Sequence, residues 1–189
     1  MVSYNGGSRI KASDLNAQAA QLIQNVVLSS SQASIQFSPV AATYNNLMLK
    51  WHARTTSGNS NDNMQMQING DTANNYDWQI QAALNATVTA ANGMGDTKLV
   101  VGTVVGGTGA AHYFANGQLE ILGWSQASAT HIVTYTGTWY ACWLNTAATS
   151  QVGTCGGLYT PASSATSLSL APAAGSFAAG SVFSLYGLA

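Results

Sequence analysis

The sequence predicts a mainly β protein: an antiparallel β-sandwich of jelly-roll type, preceded by a short N-terminal α-helix. Three observations predict it. From Ser34 onward apolar and polar residues alternate with a period of two. Breaks rich in Gly, Asn, Ser and Ala recur between these runs, as they do where short strands reverse. Long helical patterns are missing after Leu28, which removes the α/β folds.

Residues 1–28 follow a different pattern. Tyr4-Asn5-Gly6-Gly7-Ser8 reads as an arm. Ser13 is placed to cap a helix, and Asp14 sits in its first turn, where negative charge favours the helix dipole. Ala12, Leu15, Ala19, Leu22 and Val26 then recur at spacings of three and four. Such a seam serves as an oligomer contact or a docking peg; a stripe packed on its own domain is the alternative. A helix this short is marginal alone in water, so something has to cover it. Ser29–Ser34 reads as a hinge, leaving residues 35–189 as the sandwich domain.

About ten strands are expected beyond the hinge. In the first long one, Leu47, Leu49, Trp51 and Ala53 face one way, while Met48, Lys50, His52 and Arg54 face the other. Met64, Met66 and Ile68 alternate with Gln65, Gln67 and Asn69, ahead of an Asn69-Gly70-Asp71 turn. Tyr76, Trp78 and Ile80 alternate with Asp77, Gln79 and Gln81. Further strands are expected at Lys98–Val105, Gln118–Trp124, Thr130–Trp143, Gly153–Thr160, Thr166–Leu170 and Ser181–Gly187. Ala90–Asp96 and Gly106–Ala111 read as loops, and residues 82–93 as a short helix or a long loop.

Charge is scarce. Only 6% of the 189 residues are Asp, Glu, Lys or Arg, while 47% are apolar and the net charge is -1; ordinary soluble domains carry about 25% charged residues. A surface of neutral amides and hydroxyls suits packing against copies or other proteins, and little charge repels those copies. It suits acid–base catalysis poorly. Arg9, Lys11, Lys50, Arg54 and Lys98 are scattered, so no basic patch neutralises a run of phosphates and no nucleic-acid partner is expected. Leu22–Leu28 is too short for a bilayer and is interrupted by Gln24 and Asn25, and no signal peptide is visible in residues 1–14. Assembly in a cytoplasm without membrane insertion is the expectation.

The motifs of chemistry are mostly lacking. His52, His112 and His131 show no metal-ligand spacing. Asp62, Asp71 and Asp77, with Asn61, Asn63, Asn69, Asn74 and Asn75, supply oxygens for calcium but no EF-hand or RTX-type spacing, and turn formation accounts for them more plainly. Glu120, Asp96 and the Asp cluster are the only carboxylates for glycoside hydrolysis, and nothing selects a pair. Gly102–Gly109 lacks the Lys-Ser/Thr and helix of a phosphate loop. Cys142 and Cys155 form no metal pair; they meet only if neighbouring strands align them, and two free thiols are the plainer reading. No catalytic residue, cofactor or metal is assigned. Trp124, Trp139, Tyr140 and Trp143 fall on late strands, where core packing is the plainer reading. Exposed, Trp124, Trp139 or Trp143 would offer a platform for a glycan.

A set of strand and turn motifs carries one resemblance. It comprises Ile35-Gln36-Phe37, Tyr44-Asn45-Asn46-Leu47 running to Ala53-Arg54, Gln67-Ile68-Asn69-Gly70-Asp71 with Asn75-Tyr76, and Leu119-Glu120-Ile121-Leu122. The tail adds Thr166–Leu170, Pro172, Gly175-Ser176-Phe177, Gly180-Ser181 and Phe183–Gly187. Together they resemble a β-sandwich domain of tailed-bacteriophage virion structural proteins. The resemblance implies virion assembly and surface display, and it offers no catalytic residues. With the scarcity of charge, the expectation is a non-enzymatic virion component bound to itself, as a homotrimer, and to other capsid or tail proteins. A head decoration that stabilises the capsid is the first expectation. A short tail fibre or tail-tip adhesin that binds a host surface glycan is the alternative.

Overall fold

Twelve strands and one 3₁₀ turn make up the regular structure among residues 20–128, 130–144, 148–161 and 163–188, the part described by the computed structural model. The strands are β1 (Gln21–Val27), β2 (Ile35–Phe37), β3 (Asn46–Ala53), β4 (Asn61–Ile68), β5 (Tyr76–Leu84) and β6 (Thr87–Asp96), then β7 (Leu99–Val105), β8 (Ala115–Leu122), β9 (Val133–Leu144), β10 (Ala148–Tyr159), β11 (Leu168–Pro172) and β12 (Val182–Leu188). They form two antiparallel sheets. The larger has eight strands in the order β1-β12-β3-β8-β9-β10-β5-β6, and the smaller has four, β2-β11-β4-β7.

The period-two patterns bury one face of each sheet against the other. Leu47, Leu49, Trp51 and Ala53 of β3 point inward, as do Met64, Met66 and Ile68 of β4, and all seven residues of β7 are buried. Across the large sheet one inward row runs Phe183–Trp51–Gly117–Trp139–Gly153–Ala82. Two glycines in this row make room for two indoles. A methyl added at Gly117 would overlap the Trp51 ring, and one added at Gly153 would overlap Trp139. The rings therefore lie down on the neighbouring strands and the second sheet can close over them, Gly102 of β7 meeting both.

Two expected elements are overturned. The expected helix is a strand where the structure describes it: Gln21–Val27 is β1, paired with β12, and carries Leu22 and Val26. The cause is tertiary. Ile23, Val26 and Val27 are β-branched, and β12 offers a sheet edge that satisfies main-chain groups a lone helix would have left marginal. Leu22 is 52% exposed and Val26 packs partly on the core. Ala12, Leu15 and Ala19 lie outside the described residues. Gln32, within the segment expected as a hinge, exchanges main-chain hydrogen bonds with Phe177.

The second correction concerns residues 82–93 and the loop expected at Ala90–Asp96, which form the end of β5 and the whole of β6. Asn85, at φ 50°, turns the chain in the two-residue Asn85–Ala86 link, and pairing with β5 outweighs the poor strand propensity of Ala, Asn and Gly. A smaller departure occurs after β8, which stops at Leu122; Trp124 belongs to a 3₁₀ turn, Trp124–Gln126. The turn expected at Asn69-Gly70-Asp71 is present, with Asn69 and Gly70 both at positive φ, and it carries the chain from the small sheet to the large one. The Asn69 side chain fastens it, accepting from the Thr166 and Ser167 amides and donating to the Ser164 carbonyl.

Candidate interaction face

The outer face of the eight-stranded sheet is where the polar half of the alternation collects. Register fixes its rows. One runs Asn25–Ser184–Lys50–Gln118–Thr138–Thr154–Gln81–Ala90 across all eight strands. Next to it lies Tyr186–Met48–Glu120–Thr136–Gly156–Gln79–Asn92. Amides and hydroxyls dominate, and four shallow depressions open between them. A third row is more apolar at one end, where Tyr140, Val152, Ala83 and Val88 stand side by side on β9, β10, β5 and β6. Tyr140 and Val152 are each about half exposed.

The depression beside Tyr140 is about 470 Å³ in volume and is lined by Lys50, Asn116, Gln118, Thr138, Tyr140 and Val152. It combines an aromatic surface with neutral donors and acceptors and one ammonium. Nearby, Lys50 Nζ stands 5.9 Å from the centre of the Tyr186 ring, and His52 stacks on Phe114 with centroids 4.8 Å apart.

The described aspartates are dispersed and already engaged. Asp62 accepts from the amides of Asn63 and Ala174, Asp77 from the Gly95 amide, and Asp96 from Trp78 Nε1 and the Thr97 amide. Asp71 accepts from the Ala73 amide, Asn75 Nδ2 and the Tyr159 hydroxyl. The hydrogen bond from Asn75, then that from Ala73, holds the Asp71 carboxyl below the usual range; Trp78 does the same for Asp96. Among the described residues no three His, Cys, Asp or Glu side chains gather closely enough to hold a metal ion. Glu120 and Asp77 share the outer face but sit on β8 and β5, three strand spacings apart. That is about 14 Å, beyond the reach of paired carboxylates in glycoside hydrolysis.

The aromatic residues divide differently from the expectation. Trp124 and Trp139 are buried in the core, so neither presents a ring to a glycan. The side chain of Trp143 lies outside the described residues. Tyr140, next to Trp139 in sequence, is the exposed ring, because successive residues of a strand face opposite ways. Cys142 pairs with Ser150 and Cys155 with Gly137, so the two sulfurs sit five residues apart along β9–β10 and remain free thiols. Burial pushes the Cys155 thiol up to about 12, and it donates to the Val101 carbonyl.

One residue with a defined role escaped the sequence reading. Arg54, expected on a polar strand face, follows the end of β3 and is only 8% exposed. Its guanidinium donates to the carbonyls of Gly107, Gly109, Ala110 and Tyr113. Burial lowers its pKa, yet a guanidinium stays charged at physiological pH. The glycine-rich loop thus aims its carbonyls at a cation instead of its amides at a phosphate.

Comparison with protein-family models, with curated proteins and with solved structures finds no match.

Proposed function

We propose that this chain is a non-enzymatic structural protein of a tailed-bacteriophage virion, working as an oligomeric surface component whose task is to hold neighbours in place. The observation that carries the reading is the outer face of the large sheet: eight strands wide, lined by neutral amides and hydroxyls, and covered by no other part of the described chain. Contact there depends on shape and hydrogen bonds, with little contribution from charge pairs. The repeated passage of the chain between its two sheets supports a jelly-roll reading of the sandwich. The virion setting rests on the resemblance of the strand and turn motifs, and a head decoration that stabilises the capsid is preferred within it.

Mass spectrometry of gradient-purified particles tests the reading. The chain is expected in intact virions and in tailless heads of the same stock. Its absence from both overturns the virion proposal, and its presence only in tails moves it to a fibre or tip.

Tyr140 favours a second reading, a glycan-binding adhesin. A ring half exposed beside Asn116, Gln118 and Thr138 offers a stacking surface with hydrogen-bonding groups around it. Binding on a glycan array that Tyr140→Ala abolishes would establish it. No binding by the folded protein would leave the purely structural role.

A further inference from the structure

Sheets end in edges, and an edge with free main-chain groups recruits another strand unless something prevents it. The two sheets have four edge strands, β1, β6, β2 and β7. Three are managed. A bulge between Leu22 and Gln24 distorts β1, β2 is three residues long, and β7 is buried along its whole length. The fourth, β6, is ten residues long and exposed at eight of them, with no proline and no charge before Asp96 at its end. Its one irregularity, a bulge between Gly93 and Asp96, leaves Thr87–Gly93 regular, whereas the bulge in β1 falls inside the strand.

The tight Asn85–Ala86 link makes Leu84 and Thr87 a hydrogen-bonded pair, and the alternation continues along the hairpin as far as Gly93. Thr87, Thr89 and Ala91 therefore direct their main-chain groups to β5. Val88, Ala90 and Asn92 direct theirs out of the sheet. Val88 and Met94, on the outer face, are 64% and 74% exposed, the most exposed large apolar side chains among the described residues.

From these facts we infer that β6 pairs antiparallel with β6 of a second copy of this chain, about a two-fold axis at Ala91. That register brings outward-facing residues together: Ala90 exchanges hydrogen bonds with Asn92 of the partner subunit, and the symmetric pair repeats it. It also sets Val88 against the partner's Met94, and Met94 against the partner's Val88. Shifting the register by two residues in either direction separates both apolar pairs. Each Asp96 lies beyond the bulge, at the opposite end of the paired strands from its counterpart, so like charges do not meet. The apolar end of the outer face, running from Tyr140 through Val152 to Val88, then continues onto the second subunit.

The inference rests on the structural reading above and adds the contact that reading lacks. It is tested on the full chain by sedimentation and by cross-linking. The wild type is expected at twice the 19.5 kDa of one chain. Ala90→Pro removes an outward N–H and leaves the hydrogen bonds to β5 intact, so it is expected to give a folded monomer. Ala91→Cys, with Cys142→Ser as background, is expected to form a covalent dimer on oxidation, because the two Ala91 residues face each other at the axis. Thr89→Cys, whose counterpart is the partner's Gly93, is expected not to. A wild type that stays monomeric, an Ala91→Cys chain that does not cross-link, or a dimer or trimer that survives folded Ala90→Pro overturns the proposal. If Ala90→Pro fails to fold, the cysteine pair decides alone. An oligomer held through another surface would sink this contact and leave the structural role standing.

Discussion

Arg54 shows how a single side chain can organise a segment that has no secondary structure of its own. Four carbonyls of the Gly106–Tyr113 region point at one guanidinium, and a planar fork of five donors can serve all of them. Lysine carries the same charge on a compact ammonium with three donors. Arg54→Lys is therefore expected to lower stability by about 2 kcal/mol, through carbonyls left without a donor. Amide exchange separates this from a general loss: protection should fall first in residues 106–114 and only later in β3 and β8. Equal protection in wild type and variant would show that the loop holds itself.

At the scale of elements, the β5–β6 hairpin is tied at its open end by carboxylates. Asp71 fastens the turn before β5 through Ala73, Asn75 and Tyr159, and Asp96 closes β6 onto Trp78. Both carboxyls titrate below the usual range when folded, for the hydrogen bonds that hold them. The sign follows by linkage. A depressed folded pKa contributes stability above the unfolded value, about 3.9 for aspartate, and that contribution is lost as pH falls through the folded value. Stability should thus decline on the acid side of about pH 4, and Asp71→Asn or Asp96→Asn should flatten that limb. Urea midpoints collected from neutral to acid pH measure it; an unaltered acid slope in both variants would remove these two groups from the account. Tyr76 belongs to the same end, stacked on Tyr159 at 4.7 Å with its hydroxyl bonded to Ile68 and Asp71. Burial raises its pKa to about 12, so it stays a neutral donor throughout this range.

For the whole molecule, the shortage of charge decides what kind of force holds it. With 6% charged residues, stability comes from the buried rows between the sheets and from the main-chain ladders, neither of which salt screens. The melting temperature is expected to stay within a few degrees from low to molar chloride, whereas sulfate should raise it by strengthening apolar burial. A steep loss in chloride would mean that ion pairs contribute more than the composition allows. The same neutrality leaves copies free to approach one another, which is why an unprotected edge such as β6 matters more here than on a strongly charged protein.

Sequence alone determined the mainly β class and most of the sandwich strands, because alternation along Leu47–Ala53 or Met64–Ile68 records which side of a sheet is dry. It also determined the neutral character of the surface. It did not determine β1 or β6. The apolar spacing of Leu22 and Val26 fits helix and strand alike until β12 supplies an edge, and the Ala, Asn and Gly of β6 carry little propensity until β5 pairs with them. Only the tertiary structure decided which aromatics are exposed. The period-two rule sets Trp139 and Tyr140 on opposite faces, but which face is covered depends on where the second sheet lies, a contact between residues far apart in the chain.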